Sequence, residues 1–311
     1  MSSSDASDAP ELRVICGPTA AGKSAIAMRL AERFGADIVS ADSRHIYRGF
    51  DIGTAKPTPA DRARVPHHGV DVVEPTVRYS ASAWATGAEA WMAGIAARGR
   101  QSLVVGGTGF YVQALVAPLF PAPTIDSDAR ARLDAALAAL PLAELRRWCR
   151  ALDPARAALG RTQLLRALET ALLTGTRLSD LHAAAPRIVR RARYLVVDPG
   201  AALAAWIEGR VDRMLAAGWV DEVRALERVV PADAPAWKAC GYRDVIRVAH
   251  GELSADAARQ AIVVATRQYA KRQRTWFRHQ LHTAAVTRCD PTEPRHLEVA
   301  AAWWQQGERE G

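Results

Sequence analysis

Residues 12–34, LRVICGPTAAGKSAIAMRLAERF, constrain the fold more than any other stretch. A short apolar run ends at Gly17, a loop follows, and from Lys23 onward apolar residues recur at helical spacing, so the order is strand, loop, helix. The loop satisfies G-x-x-x-x-G-K-[ST] in the setting that pattern requires. Backbone N–H groups at a helix start surround a phosphate, the Lys23 ammonium neutralises it, and the Ser24 hydroxyl is the expected ligand of a magnesium ion. Gly17, Pro18, Thr19, Ala20, Ala21, Gly22, Lys23 and Ser24 therefore form a candidate phosphate cradle.

The alternation continues. Residues 37–41 and 69–73 read as second and third strands, 80–98 as a helix stopped by Gly99, and 102–105 as a fourth strand that runs into Gly106-Gly-Thr-Gly109. This order predicts an α/β fold, a P-loop-type parallel sheet flanked by helices with ligands at the carboxyl ends of its strands. Pro118, Pro121 and Pro123 then mark a boundary. Residues 126–191 are rich in Ala, Leu and Arg with no strand signal, which predicts an all-helical insertion. The return strand is read at 193–197, followed by helices over 201–217, 220–229 and 254–281, a short strand near Val286 and a last helix with a polar tail. The expected division is a tail at 1–10 too polar to pack, the first part of the core at 11–120, the insertion at 121–191, and core completion with C-terminal helices at 192–311.

Charge and cysteine usage narrow the function classes. No apolar stretch reaches the roughly 20 residues a bilayer-spanning helix needs. Cys16, Cys149, Cys240 and Cys289 lie far apart without C-x-x-C pairing, against a zinc site or a disulfide framework and in favour of a reducing cytoplasm. The formal charge is +8, and residues 141–193 hold eleven arginines against Glu144, Asp153, Glu169 and Asp180. That region is either a solvated helical face or a surface for a polyanion. Lysine occurs only at positions 23, 56, 238 and 271, so these four are candidates for tasks a guanidinium performs badly.

A nucleotide hydrolase needs an acid at a strand end to hold magnesium. The strand at 102–105 ends in Gly-Gly-Thr instead, and the nearest strand-end carboxylate is Asp42. It can be a metal ligand, a general base, or the cap of the next helix.

Seven blocks in order carry a resemblance: DSRHIYRGFDIGTAKP from Asp42, PHHGVDVVEP from Pro66 with YSA after it, VVGGTGFY from Val104, RALE from Arg166, RVDRMLAAG from Arg210, GYRD from Gly241 and ATRQYAKRQRTWFR from Ala265. Together they resemble the tRNA dimethylallyltransferases. In that family the P-loop holds the diphosphate of dimethylallyl diphosphate, and the prenyl group goes to the exocyclic amine of adenosine at tRNA position 37. The resemblance implies that Asp42 is the base that takes the amine proton and that Lys23, Arg210, and magnesium on Ser24 absorb the charge of the departing diphosphate, with Thr108 near the reacting groups. It also implies tRNA contacts at Asp42, Ser43, Arg44 and His45 beside Thr108, at Arg130, Gln163 and Arg166 in the insertion, and at Lys238, Gly241, Tyr242 and Arg243. The last basic segment adds Lys271, Arg272, Arg274 and Arg278, with Trp276 and Phe277 interleaved either for base stacking or for the core.

The chain departs from the family pattern in places. His45 stands where many members have Gln, and is either a base contact or a neutral packed side chain. Residues 157–160 replace an H-P-N-D run, and Gln163 replaces an Arg. No C-x-x-C zinc finger follows the core, which points to the bacterial form, and a monomer is expected because tRNA would occupy the basic faces. The alternatives are a prenyltransferase for free adenine nucleotides, a P-loop small-metabolite kinase using ATP, and a non-catalytic RNA-binding module.

Overall fold

A computed structural model of the chain describes residues 11–117, 125–184, 190–281 and 285–306. The polar tails at 1–10 and 307–311 and the prolines at 118, 121 and 123 lie outside the described residues. The chain divides into two compact units, Ala117–Ile188 and the remainder.

The larger unit is built on a parallel sheet. Strand β1 (Leu12–Cys16) leads through the glycine-rich loop into helix α1 (Lys23–Phe34), and β2 (Ala36–Ser40) follows. After helix α2 (Pro59–Arg64) come β3 (His67–His68), α3 (Ala81–Ala97), β4 (Gln101–Gly106) and α4 (Gly109–Val116). The smaller unit contributes α5 (Ser127–Ala138), α6 (Leu142–Leu152), α7 (Arg161–Thr174) and α8 (Leu178–Ala184). The chain then continues with β5 (Ala192–Val197), α9 (Leu203–Ala216), α10 (Trp219–Glu227), α11 (Tyr242–Ala249), the long α12 (Ala255–Gln280), β6 (Ala285–Cys289) and α13 (His296–Gln305).

The strand order is β3-β2-β4-β1-β5-β6, with every pairing parallel. Parallel strands all end at the same sheet edge, so the loops after β1, β2, β4 and β5 converge there. The central strands carry little but buried apolar residues, among them Val14, Ile15, Val39, Leu103 and Leu195. On the flanks, Trp84 of α3 stacks on Tyr111 of α4 at 4.8 Å and donates its indole N–H to the Ser40 carbonyl. Phe34 stacks on Trp304 of α13 at 5.1 Å. The smaller unit has its own core of Leu137, Leu145, Cys149, Leu164, Ala167, Leu168 and Leu178, all supplied by its helices.

The third strand differs from the expectation at 69–73. β3 is two residues long and pairs with Ile38 and Val39, and Val73 makes only an isolated bridge to Tyr47. Gly69 (φ 75°) and Asp71 (φ 54°) leave the extended conformation. Asp71 is held in that geometry by ion pairs to the buried Lys56 ammonium and to Arg62, each at 2.7 Å. Lys56 also donates to the Tyr47 carbonyl, so one of the four lysines secures the chain around 47–56.

Candidate active site

The glycine-rich loop takes the conformation its composition allows. Gly17 has φ 142°, and a Cβ there would lie 2.1 Å from the Val197 carbonyl oxygen, so only glycine lets β5 pass this close. Ala20 sits in the left-handed region at φ 62°, a conformation that costs a non-glycine residue about 1 kcal/mol or more. Gly22, also left-handed, caps α1, whose first-turn N–H groups have no partner within the helix and carry its positive dipole end. Lys23 folds back over the loop and donates to the Pro18 carbonyl at 2.6 Å. Ser24 is exposed at the mouth of the same cleft.

Lys23 is perturbed in a useful way. Burial, then the neighbouring Arg210, lower its ammonium pKa to about 8, against the opposing pull of Asp42. An anion arriving in the loop raises that value again. Near pH 8 the free ammonium is about half protonated, so binding of inorganic diphosphate takes up roughly half a proton at Lys23, and almost none at pH 6.5. Calorimetry in buffers of different ionisation enthalpy is expected to read this uptake in the native chain and to lose it in Lys23→Met. Equal proton counts for the two chains at pH 8 would contradict it.

Asp42 follows β2 directly. Residues 43–49 form turns and a bridge, so the helix that Asp42 could have capped is not there. One carboxylate oxygen accepts the Arg44 N–H at 2.8 Å, and the other lies 3.9 Å from His45 Nε2. Burial would raise the carboxyl, but the His45 ring, the Arg44 amide, Lys23 and Arg210 outweigh it and hold the group below the ordinary aspartate value. Asp42 is therefore ionised at neutral pH with one oxygen free of hydrogen bonds to the protein backbone.

His45 is a packed neutral ring. Its Nε2 meets the Thr54 carbonyl at 3.3 Å and Nδ1 meets the Ser40 hydroxyl at 3.1 Å, which together suit one tautomer with Nε2–H as donor. Burial lowers its pKa, partly offset by Asp42. The same Thr54 carbonyl accepts from Arg210 at 3.2 Å, so Arg210 of α9 is tethered beside Asp42. Thr108, just past β4, accepts the Ser43 N–H at 3.1 Å and hydrogen-bonds the Tyr269 hydroxyl of α12, whose pKa burial and Asp42 push up to about 12.

Two cavities meet at Arg210 and Met214. One, of about 830 Å³, is walled by Lys23, Ser24, Arg62 and Arg213 and by the apolar Ile52, Pro57, Trp206 and Met214. The other, of about 450 Å³, has Thr19, Asp42, Ser43, Arg44, Lys238, Tyr269 and Arg272 on its walls. An anion with an apolar tail and a planar polar group can thus occupy adjoining cavities, the second with Asp42 on its wall.

The remaining residues expected at the site sort by environment. Lys238, Arg243, Lys271, Arg272 and Arg278 are exposed. Tyr242 is fully buried among Phe50, Trp219 and Trp237, with its hydroxyl on Glu222. Gly241 (φ 91°) is buried too, where a Cβ would meet the Trp219 ring at 2.3 Å. Arg274 chelates Asp198 with both guanidinium arms and reaches the Gly200 carbonyl, so its charge is already matched. Phe277 is in the core and Trp276 covers Gly109. In the smaller unit Arg130 and Arg166 share the buried Glu169, and Gln163 accepts the Gly160 N–H at the start of α7.

Sequence reasoning missed Glu222, Tyr269 and Gln273. Glu222 accepts three successive backbone N–H groups, those of Asp51, Ile52 and Gly53, and so holds one wall of the larger cavity. Tyr269 and Gln273 stand four apart on α12, a spacing that shares a helix face and was legible in ATRQYAKRQ.

The sequence pattern of the IPP transferase family matches residues 45–280, and that of isopentenyl transferases matches 10–65. The tRNA dimethylallyltransferase of Halorhodospira halophila is 44% identical over 301 residues, covering 93% of this chain and 96% of that protein. The Sorangium cellulosum tRNA dimethylallyltransferase is 48% identical over 277 residues, 87% of this chain and 88% of that one. Among solved structures, the tRNA delta(2)-isopentenylpyrophosphate transferase of Staphylococcus epidermidis aligns with a TM-score of 0.68 at 28% identity, over 97% of this chain and 100% of the other. A eukaryotic dimethylallyltransferase acting on tRNA shares the fold, with a TM-score of 0.76 at 22% identity over 97% of this chain and 78% of that one.

Proposed function

Because the chain belongs to the IPP transferase family of tRNA dimethylallyltransferases, we propose that it moves a dimethylallyl group from dimethylallyl diphosphate to the exocyclic amine of adenosine 37 in tRNA, releasing diphosphate. The observation that carries the reading is the meeting of an anion loop, an ionised Asp42 and a tethered Arg210 where two cavities join.

The diphosphate sits in the loop against the α1 N–H groups and Lys23, and the short prenyl chain lies along Ile52, Trp206 and Met214. The adenine leaves its stack and enters the cavity lined by Asp42, Ser43 and Arg44. As the amine nitrogen bonds to the allylic carbon, the carbon–oxygen bond breaks and its electron pair leaves with the diphosphate. Lys23 and Arg210 meet the negative charge that grows on the leaving oxygens. The attacking nitrogen becomes acidic as its lone pair is used, and its proton passes to the free carboxylate oxygen of Asp42. A carboxylate held below its usual pKa is ionised at neutral pH and is a weak base, so it takes the proton once the nitrogen has turned cationic.

Ser24 fits a magnesium ion, for its hydroxyl is a hard oxygen exposed in the cleft and magnesium takes most of its other ligands from water and phosphate. Bound there, the ion would add positive charge for the diphosphate. The enzyme works as a monomer in a reducing cytoplasm, a reading supported by four free cysteines and by basic surfaces left for RNA. Among the described residues no helix is long and apolar enough to cross a membrane.

Incubation with labelled dimethylallyl diphosphate and either AMP or an anticodon stem-loop bearing adenosine at position 37 tests the reading. Label is expected in the stem-loop only, with RNA affinity falling steeply between low and moderate salt. Label in AMP, or in neither, would overturn it.

A further inference from the structure

Gln273 stands inside the basic segment 271–278 yet does not share its setting. Lys271, Arg272 and Arg278 are exposed, whereas Gln273 is only 7% exposed. Successive residues of a helix point about 100° apart, so the residue after Arg272 can face inward while Arg272 borders the cavity at Asp42.

The buried carboxamide is used at both ends. Its Oε1 accepts the Thr19 N–H at 2.7 Å, and its Nε2 donates to the Gly107 carbonyl at 2.8 Å. One side chain on α12 therefore ties the phosphate loop after β1 to the loop after β4. Gly107 is matched to it, for a Cβ at that position would lie 2.4 Å from Gln273 Nε2. Thr19 precedes Ala20, the left-handed residue of the loop, so the bond acts where the loop backbone is held out of its relaxed conformation. Thr108 follows Gly107 and accepts the Ser43 N–H, which carries the same constraint to the turn that bears Asp42. A buried amide with both ends paired resists displacement, because losing either bond leaves a buried polar group unsatisfied.

We propose that Gln273 is a positioning residue for the diphosphate, fixing the phosphate loop and the Gly107–Thr108 turn relative to each other, and is not part of the RNA-contacting surface in which its sequence position places it. The inference rests on the prenyl-transfer reading and deepens it.

Three variants test it. Gln273→Leu removes both bonds, Gln273→Glu keeps the acceptor for Thr19 but loses the donor to Gly107, and Gly107→Ala pushes the carboxamide aside without altering Gln273 or any exposed residue. Each is expected to weaken inorganic diphosphate, read by calorimetry, about tenfold or more, and to raise the KM for dimethylallyl diphosphate in step. Stem-loop affinity stays within about twofold of the native chain, whereas Arg272→Ala weakens stem-loop affinity and leaves diphosphate affinity in place. Unchanged diphosphate affinity in folded variants, or a loss confined to RNA affinity, overturns the proposal. Failure of all three to fold would assign Gln273 to folding alone and overturn it as well. A native chain that binds diphosphate but transfers no prenyl group sinks the proposed function and leaves the Gln273 assignment to be read from the calorimetry. One that binds no diphosphate sinks both.

Discussion

Asp42→Ala is expected to slow prenyl transfer to the stem-loop by about 10²–10⁴, the range a positioned base supplies. Diphosphate affinity is expected to change little by comparison, because the substitution removes a negative charge near the loop but also the pull that keeps Lys23 protonated. Asp42→Asn separates the chemistry from the architecture. Its amide oxygen can still accept the Arg44 N–H, so the turn persists, but the side chain takes no proton and the rate falls as far as for alanine. Single-turnover kinetics with labelled dimethylallyl diphosphate reads both. Transfer at the native rate by either variant would remove Asp42 from the role of base. The pH profile carries a sign of its own. Since the carboxyl titrates below the ordinary aspartate value, the acid-side loss of rate due to Asp42 sets in only as pH falls through that depressed value.

The second large effect belongs to Lys23. Lys23→Ala is expected to cost about 10²–10³ in kcat/KM, comparable to removing one preorganised donor from a site of developing negative charge. Arginine is expected not to restore the rate. The ammonium turns back to the Pro18 carbonyl within the loop, a path that a planar guanidinium with a fixed fork cannot follow. A Lys23→Arg chain with native kcat/KM would show that only the charge matters there.

Local pattern explains what was legible beforehand. Helix α1 occupies the expected residues, because a glycine-rich loop in front, a helical apolar spacing and Gly35 behind are all read within a dozen positions. Strands β4 and β5 lie within a residue of expectation for the same reason. The third strand was misplaced because its fate depends on Lys56 and Arg62 reaching Asp71, a contact that no spacing announces. For Tyr242 and Gly241 the resemblance implied tRNA contacts, and nothing in their spacing announced that both are buried. Their burial follows from the indole of Trp219, which also fills the space that a side chain at position 53 would need.

The amino-acid sequence alone determined that a phosphate loop joins a strand to a helix in a parallel α/β core, that a carboxylate follows the second strand, and that basic charge gathers in the insertion and along α12. Those are properties of near neighbours in the chain. Tertiary structure decided which of these groups act together. The order β3-β2-β4-β1-β5-β6 brings the ends of strands distant in sequence to one edge, where α9 adds Arg210 and α12 adds Tyr269 and Gln273. It also withdrew Arg274 and Tyr242 into protein contacts, because a side chain's partner is set by long-range packing that residue type and spacing do not encode.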